Sequence, residues 1–290
     1  MNKTYRLSSH QRHPQLQFCI QPAFHDRAFA LHQHDFSELV IVLEGSARHQ
    51  VGDFTDTIQA GDVFVINGHI AHGFSSAQNL KIFNLMFEGE TPCFETTQLR
   101  LLAGYQALFT LEPIARKHSD ALPRLNLSQD RLDEVHRLLL GIEHEYQHAE
   151  IGFETVVLSQ LRQLVVILAR EYQQHNHAQQ GATISLARAL SFIEQQLAQT
   201  QLRSTDIAKA AFLSTRQLER LFRRYLDTSP ALYLIEQRVE KAKALLHDPS
   251  QPSMNQIAQR CGFSESNYFS RVFRQQTGTS PRDFRKRPSN

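Results

Sequence analysis

The chain has 290 residues, 41% apolar and 21% charged, which excludes disorder throughout and points to about two domains. It has no run of 18 apolar residues, and its start, MNKTYRLSSHQRHPQ, lacks an apolar core, so neither a membrane span nor a secretory signal is expected. The net charge of +2 hides an asymmetry: residues 184–290 carry 17 Lys and Arg against 9 Asp and Glu, and the remainder carries 14 against 20. A basic C-terminal third behind an acidic remainder suits a polyanion-binding module joined to a regulatory or catalytic one. Three scattered cysteines, Cys19, Cys93 and Cys261, exclude a disulfide framework and fit a reducing cytosol.

In chain order, residues 15–90 read as β. Short apolar runs (Leu39–Leu43, Val63–Ile66, Ile82–Phe87) alternate with Gly, Asp and Asn punctuation at about ten-residue intervals, the spacing of a small barrel or sandwich. From Ser128 the period changes. Leu132, Val135, Leu139, Ile142 and Tyr146 step by three and four, predicting an amphipathic helix. A second helix is predicted over Glu154–Gln173, with Val157, Leu161, Leu164, Ile167 and Leu168 on its apolar side. The polar, Gln-rich stretch that follows reads as a linker. The expected organisation is a β-barrel over 1–127, a helical segment over 128–174, a linker over 175–183 and an all-α domain over 184–290, an α+β chain overall.

Within the last domain the sequence repeats. Ile207-Ala208 is matched by Ile257-Ala258, Ser214 by Ser264, Leu218–Arg223 by Phe269–Arg274, and Thr228-Ser229-Pro230 by Thr279-Ser280-Pro281. Two copies are too few for a solenoid but suit two helix-turn-helix units. In the first, Ser214 and Gln217 have capping-box spacing; in the second, Ser264 or Ser266 is the expected cap. Arg216, Gln217, Glu219, Arg220, Arg223 and Arg224 then lie away from the apolar stripe of the first second-helix, and Ser266, Asn267, Ser270, Arg271 and Arg274 away from that of the other. Arg can pair with guanine and Asn with adenine in a major groove. Arg224, Arg282, Arg285, Lys286 and Arg287 suit phosphate contacts. One solvated basic face would mean little, but two matched ones in a basic segment point to double-stranded DNA.

Residues 184–290 resemble the DNA-binding domain of the AraC/XylS family of bacterial transcription regulators. The resemblance rests on Ile257-Ala258, Cys261-Gly262-Phe263-Ser264, Tyr268–Arg274, Thr277–Pro281 and Phe284-Arg285. It implies seven helices, with Ala231–Leu246 connecting the two units. Asp227 stands where the family usually has Gly, at a left-handed turn that Asp tolerates better than most residues.

Near the other end, His32-Gln33-His34 with Glu38 and Gly45 fits the first cupin motif, and Gly61-Asp62, Asn67 and His72 resemble the second, with Asn67 where Pro is usual. Positions 32, 34 and 38 share strand parity and hence a face. His32, His34, Glu38 and His72 could converge on a metal, line a pocket, or form a buried histidine–carboxylate support. The AraC/XylS resemblance implies a cupin-like barrel that binds a small effector, with neither metal nor cofactor; His32, His34, Glu38, Asn67 and His72 are its expected contacts, and His69 and Asn84 are further candidates by position. Ala30–Gly45 and Gly61–Phe74 are most similar to the rhamnose-responsive activators, implying a carbohydrate effector. The resemblance also implies a homodimer, with the stripe Leu132–Tyr146 pairing across a two-fold axis, and RNA polymerase as a partner. The competing readings are a metal-dependent cupin enzyme carrying a DNA-binding tail, and a regulator with a non-sugar effector.

Overall fold

The computed structural model describes residues 3–89, 94–117, 124–175 and 181–287. They form two compact units, Met1–Ala187 and Arg188–Asn290. Among the described residues no helix is long and apolar enough to cross a membrane.

The first unit is built on strands β1 (Lys3–Tyr5), β2 (Phe18–His25), β3 (Phe29–His34), β4 (Phe36–Val51), β5 (Phe54–Gln59), β6 (Asp62–Ile66), β7 (His72–Glu88) and β8 (Leu125–Asn126). They make one sheet in the order β1-β3-β7-β4-β6-β8, with β2 also on β7 and β5 also on β4. The long strands β4 and β7 serve twice. Residues 38–41 of β4 pair with β6, and residues 46–51 pair with β5. Between these halves the register with β7 shifts repeatedly. Gly45 sits at this bend with φ +76°, and a Cβ there would lie 2.3 Å from the carbonyl oxygens of Gln78 and Asn79. The last residue of the first cupin motif is therefore a glycine because a neighbouring backbone occupies its side-chain space.

Alternation along β4 sorts the core. Val40 and Val42 join Ala47, Ile58, Phe64, Ile66, Phe74, Leu80 and Ile82 in one cluster. Leu39 and Ile41 point the other way and are equally buried, so the run reads as continuously apolar.

Helices supply cover. α1 (Thr97–Arg100), α2 (Ala103–Tyr105), a π-helical stretch Gln106–Leu111 and α3 (Glu112–Lys117) precede α4 (Gln129–His148) and α5 (Phe153–His175). The barrel expected over 1–127 thus includes a helical insert that β periodicity did not reveal. Gly104 packs so closely on α5 that a Cβ would overlap the Ala169 carbonyl oxygen at 1.8 Å.

The α4 stripe corrects an expectation. Leu132, Val135, Leu139, Ile142 and Tyr146 are at most 3% exposed within a single chain, and Tyr146 lies 5.3 Å from the Phe18 ring on β2. Its hydroxyl accepts from the Arg12 amide at 3.0 Å. The stripe packs on its own chain and is not a face for a second copy.

The second unit contains α6 (Gly181–Gln195, which starts in the first), α7 (Ser204–Ala210), α8 (Thr215–Leu226), α9 (Pro230–Leu246), α10 (Met254–Arg260), α11 (Ser266–Thr277) and α12 (Pro281–Arg285). Residues 181–183, read as linker, belong to α6; residues 176–180 and Cys93 lie outside the described residues. The repeated Thr-Ser-Pro has a local cause. Ser229 and Ser280 cap α9 and α12 by accepting from Leu232 and Asp283, with Pro at the first turn of each. Val239, Ala242 and Leu246 of α9 pack with Ile257, Ala258, Cys261, Phe263, Phe269, Val272 and Phe273 in one core. At about 1.5 Å per residue, α9 is about 25 Å long.

Candidate functional site

In the first unit, His34 ends β3 and Glu38 lies two residues into β4, so the strand expected to carry both breaks at Asp35. The side chains still converge. The Nε2 atoms of His34 and His72 each lie 3.5 Å from Glu38 Oε2. His32 pairs directly with His72 across β3 and β7, their rings 4.3 Å apart. All four residues are buried. Each imidazole is held by its other nitrogen: Nδ1 of His32, His34 and His72 lies 3.1, 2.5 and 3.0 Å from the carbonyl oxygens of Ala30, Phe36 and Ile70.

Electrostatics follow burial. Desolvation raises the pKa of Glu38, but the flanking His34 and His72 outweigh it and hold the carboxyl well below its usual range. Desolvation, reinforced by His72, pulls His32 down to about 4.

His32, Glu38 and His72 face a cavity of about 200 Å³. Its walls also include Tyr5, Phe29 and Phe74, together with His10, Gln21, His25 and Asn84. Gln21 and Asn84 are cross-strand neighbours on β2 and β7, and Asn84 Oδ1 is buried without a hydrogen-bond partner. His34 stands behind Glu38, outside this lining. Asn67, an expected contact, is buried beside Ser37 at 3.3 Å and does not reach the cavity. His69 is exposed on a turn with φ +68°. Tyr5 and Gln21 lie on β1 and β2, outside both motifs, and Phe29 starts the motif strand β3 three residues before His32, so none of them carries a motif signal.

In the second unit the two helix-turn-helix copies are α7–α8 and α10–α11. Ser214 and Gln217 form the expected capping box, which engages the Gln217 side chain in its own helix. Leu218, Leu221, Phe222 and Tyr225 are buried, while Arg216, Arg220, Arg223 and Arg224 are exposed and Glu219 is half-buried. Asp227 takes the left-handed turn with φ +50°, matched by Gly278 at +74° after α11.

The second copy differs at its start. The N-cap of α11 is Glu265, without a side-chain bond; neither Ser264 nor Ser266 caps it, because the extra residue of this copy shifts the start by one. The capping box of this unit lies instead on α10, between Ser253 and Gln256. Asn267, Arg271 and Arg274 are exposed and Ser266 and Ser270 half-buried; the Ser270 hydroxyl donates to the Ser266 carbonyl oxygen at 2.9 Å. Tyr268 is 40% exposed, with the Arg271 guanidinium 5.4 Å over its ring. Arg285, expected at a phosphate, donates to the Pro252 carbonyl oxygen at 2.5 Å, whereas Arg282, Lys286 and Arg287 are exposed.

Family comparison agrees with both halves. Residues 16–165 match an AraC-like ligand binding domain, and residues 186–287 match a helix-turn-helix domain. The chain is 28% identical to the HTH-type transcriptional activator RhaS of Escherichia coli, over 92% of this chain and 91% of that protein. It is 29% identical to the HTH-type transcriptional activator RhaR of Yersinia pseudotuberculosis, over 94% and 90%. Among solved structures, an AraC-type regulator from Chromobacterium violaceum is 38% identical over 38% of this chain and 98% of its own, with a TM-score of 0.34.

Proposed function

The chain belongs to the AraC family, as a DNA-binding regulator with its own ligand-binding domain, and on that premise we propose that it activates carbohydrate-use genes in response to a small sugar. The observation that carries the sugar reading is the cavity: polar groups from several strands converge between aromatic walls, and one acceptor, Asn84 Oδ1, is unpaired. A polyhydroxylated ligand needs several directional partners and apolar surface for its C–H faces. A volume of about 200 Å³ suits one small molecule.

Arg216, Arg220, Arg223, Asn267, Arg271 and Arg274 read or grip the major groove of double-stranded DNA, with Glu219, Ser266 and Ser270 at its edge. The protein acts in the cytoplasm as a homodimer, together with RNA polymerase, and is not an enzyme. With the α4 stripe buried, the dimer surface is the outward side of the α4–α5 hairpin, where Leu140 and Val156 are 47% and 41% exposed. Ligand and DNA are coupled only as far as the sugar's affinity differs between two arrangements of the dimer.

The test is a thermal-shift screen of the full chain against monosaccharides, since a ligand that binds only the folded state raises its stability. Stabilisation by one sugar, with a change in DNA affinity on its addition, is the expected result. A panel without effect, beside a response to a non-sugar metabolite, overturns the carbohydrate assignment.

A further inference from the structure

The turns of the two helix-turn-helix copies share one backbone and differ at the bend. The Phe212 amide donates to the Lys209 carbonyl oxygen at 3.1 Å and the Leu213 amide to that of Ala208 at 2.9 Å. Gly262 and Phe263 repeat both bonds, to Gln259 at 3.0 Å and Ala258 at 2.9 Å. The residue at the bend is left-handed in each, with φ +56° at Phe212 and +79° at Gly262. In the second copy it is a buried glycine, packed so closely on Leu197 and Arg238 that a Cβ would not fit. In the first copy it is a phenylalanine, 80% exposed.

A bulky side chain in this conformation is strained, and a ring left in water gains little burial to offset it. Stability alone would favour glycine at both bends. Phe212 therefore points to a contact made outside the folded chain. The ring is not isolated: the guanidinium of Arg188, half-buried on α6, lies 5.4 Å over it.

The place of the turn identifies the partner. Phe212 stands two residues before Ser214, the N-cap of α8. In a helix-turn-helix the first helix crosses the DNA backbone and the N-terminal residues of the second reach base edges, so the turn between them passes beside a backbone. Lys209, in the last turn of α7, and Arg216, in the first turn of α8, are exposed on either side of Phe212. With Arg188 they make a basic surround suited to phosphates, and the ring offers an apolar face to deoxyribose.

Resting on the DNA-binding reading of α8, we infer that Phe212 and Arg188 grip the DNA backbone at the edge of the groove that α8 enters, the ring against deoxyribose and the guanidinium on a phosphate. This contact reads no base. It extends the footprint of the first copy beyond its recognition helix, and the second copy, whose turn is buried, makes none of this kind.

The experiment uses the full chain and DNA selected by it from a random library, in gel-shift titrations at several salt concentrations. Phe212→Gly is expected to leave the melting temperature unchanged or raise it, because the strain is relieved. It should weaken binding about fivefold to tenfold, the worth of covering roughly half a phenylalanine, and equally for selected and unselected sequences. Phe212→Tyr keeps the ring and should retain wild-type affinity. Arg188→Ala should lower the salt slope by about one. Unchanged DNA affinity in Phe212→Gly overturns the inference, including the case in which transcription by RNA polymerase is lost, which would make the ring a protein contact. A loss confined to the selected sequence, or one that comes with a lowered melting temperature, overturns it as well. Arg220→Ala in the same titrations keeps the two readings apart. Its loss of affinity beside an unchanged Phe212→Gly leaves α8 in the groove and removes only the backbone contact, whereas the reverse pair of results moves the recognition surface and keeps Phe212 at the DNA.

Discussion

Arg238, in the helix between the two helix-turn-helix units, donates from Nε to the carbonyl oxygen of Leu197 at 3.2 Å, while its Nη2 reaches that of Gln199 at 2.6 Å. Its guanidinium also lies 5.7 Å over the Phe263 ring in the turn of the second unit. Gly262 in that turn has φ +79°, and a Cβ there would lie 2.4 Å from the same Leu197 carbonyl oxygen. One buried arginine therefore ties the segment before α7, the connecting helix and the second turn together.

Replacing that guanidinium leaves two carbonyl groups without donors. Arg238→Met is expected to destabilise the second unit by about 2–4 kcal/mol. Urea denaturation followed by helical circular dichroism checks it; a loss below about 0.5 kcal/mol would show that water replaces the arginine.

The two recognition faces should behave differently from the flanking cations. Arg220→Ala and Arg271→Ala are each expected to weaken binding to DNA selected from a random library by about 1–3 kcal/mol and to relax the selected sequence. Arg282→Ala and Lys286→Ala should weaken all sequences alike and flatten the salt dependence. Gel-shift titrations at several salt concentrations separate the outcomes, and unchanged affinity in both recognition variants places the helices wrongly.

Asn84 Oδ1 lacks a partner in the protein, so a ligand hydroxyl is its natural donor. Asn84→Leu is expected to weaken binding of whichever monosaccharide stabilises the wild type by about 1–3 kcal/mol, leaving DNA affinity without sugar unchanged. Calorimetry with that sugar is the measurement.

Burial pushes the thiols of Cys19 and Cys261 up to about 11. With almost no thiolate at pH 8, both should resist iodoacetamide in the folded protein and react once unfolded. Peptide mass spectrometry reads each site, and rapid native labelling of either contradicts its burial.

If the outward side of the α4–α5 hairpin pairs two chains, Leu140→Glu should raise the dimer dissociation constant at least tenfold without lowering the melting temperature, because the side chain is half exposed. Analytical ultracentrifugation decides, and an unaltered dimer moves the interface elsewhere.

Sequence alone determined the features that are local. The helix-turn-helix repeat, the buried and exposed sides of α8 and α11, the Ser214–Gln217 cap and the left-handed turn at Asp227 all depend on residues a few positions apart, where helical period and capping chemistry act directly. Strand parity joined His32 to His34, but the strand breaks at Asp35 and Glu38 belongs to the next one, so its approach to His34 and His72 was decided by the pairing of β3, β4 and β7. The rest was set by partners far along the chain. An apolar stripe such as Leu132–Tyr146 states that it will be buried but not against what, and only the sheet packed beneath it decided between its own domain and a second copy. Tyr5, Gln21 and Phe29 became cavity walls through the pairing of β1, β2, β3 and β7, and Asn67 lies against Ser37 instead of in the cavity. Arg238 looked like any surface cation on a helix until α9 laid it against the Leu197 and Gln199 carbonyls, whose need for donors exists only after the chain has folded.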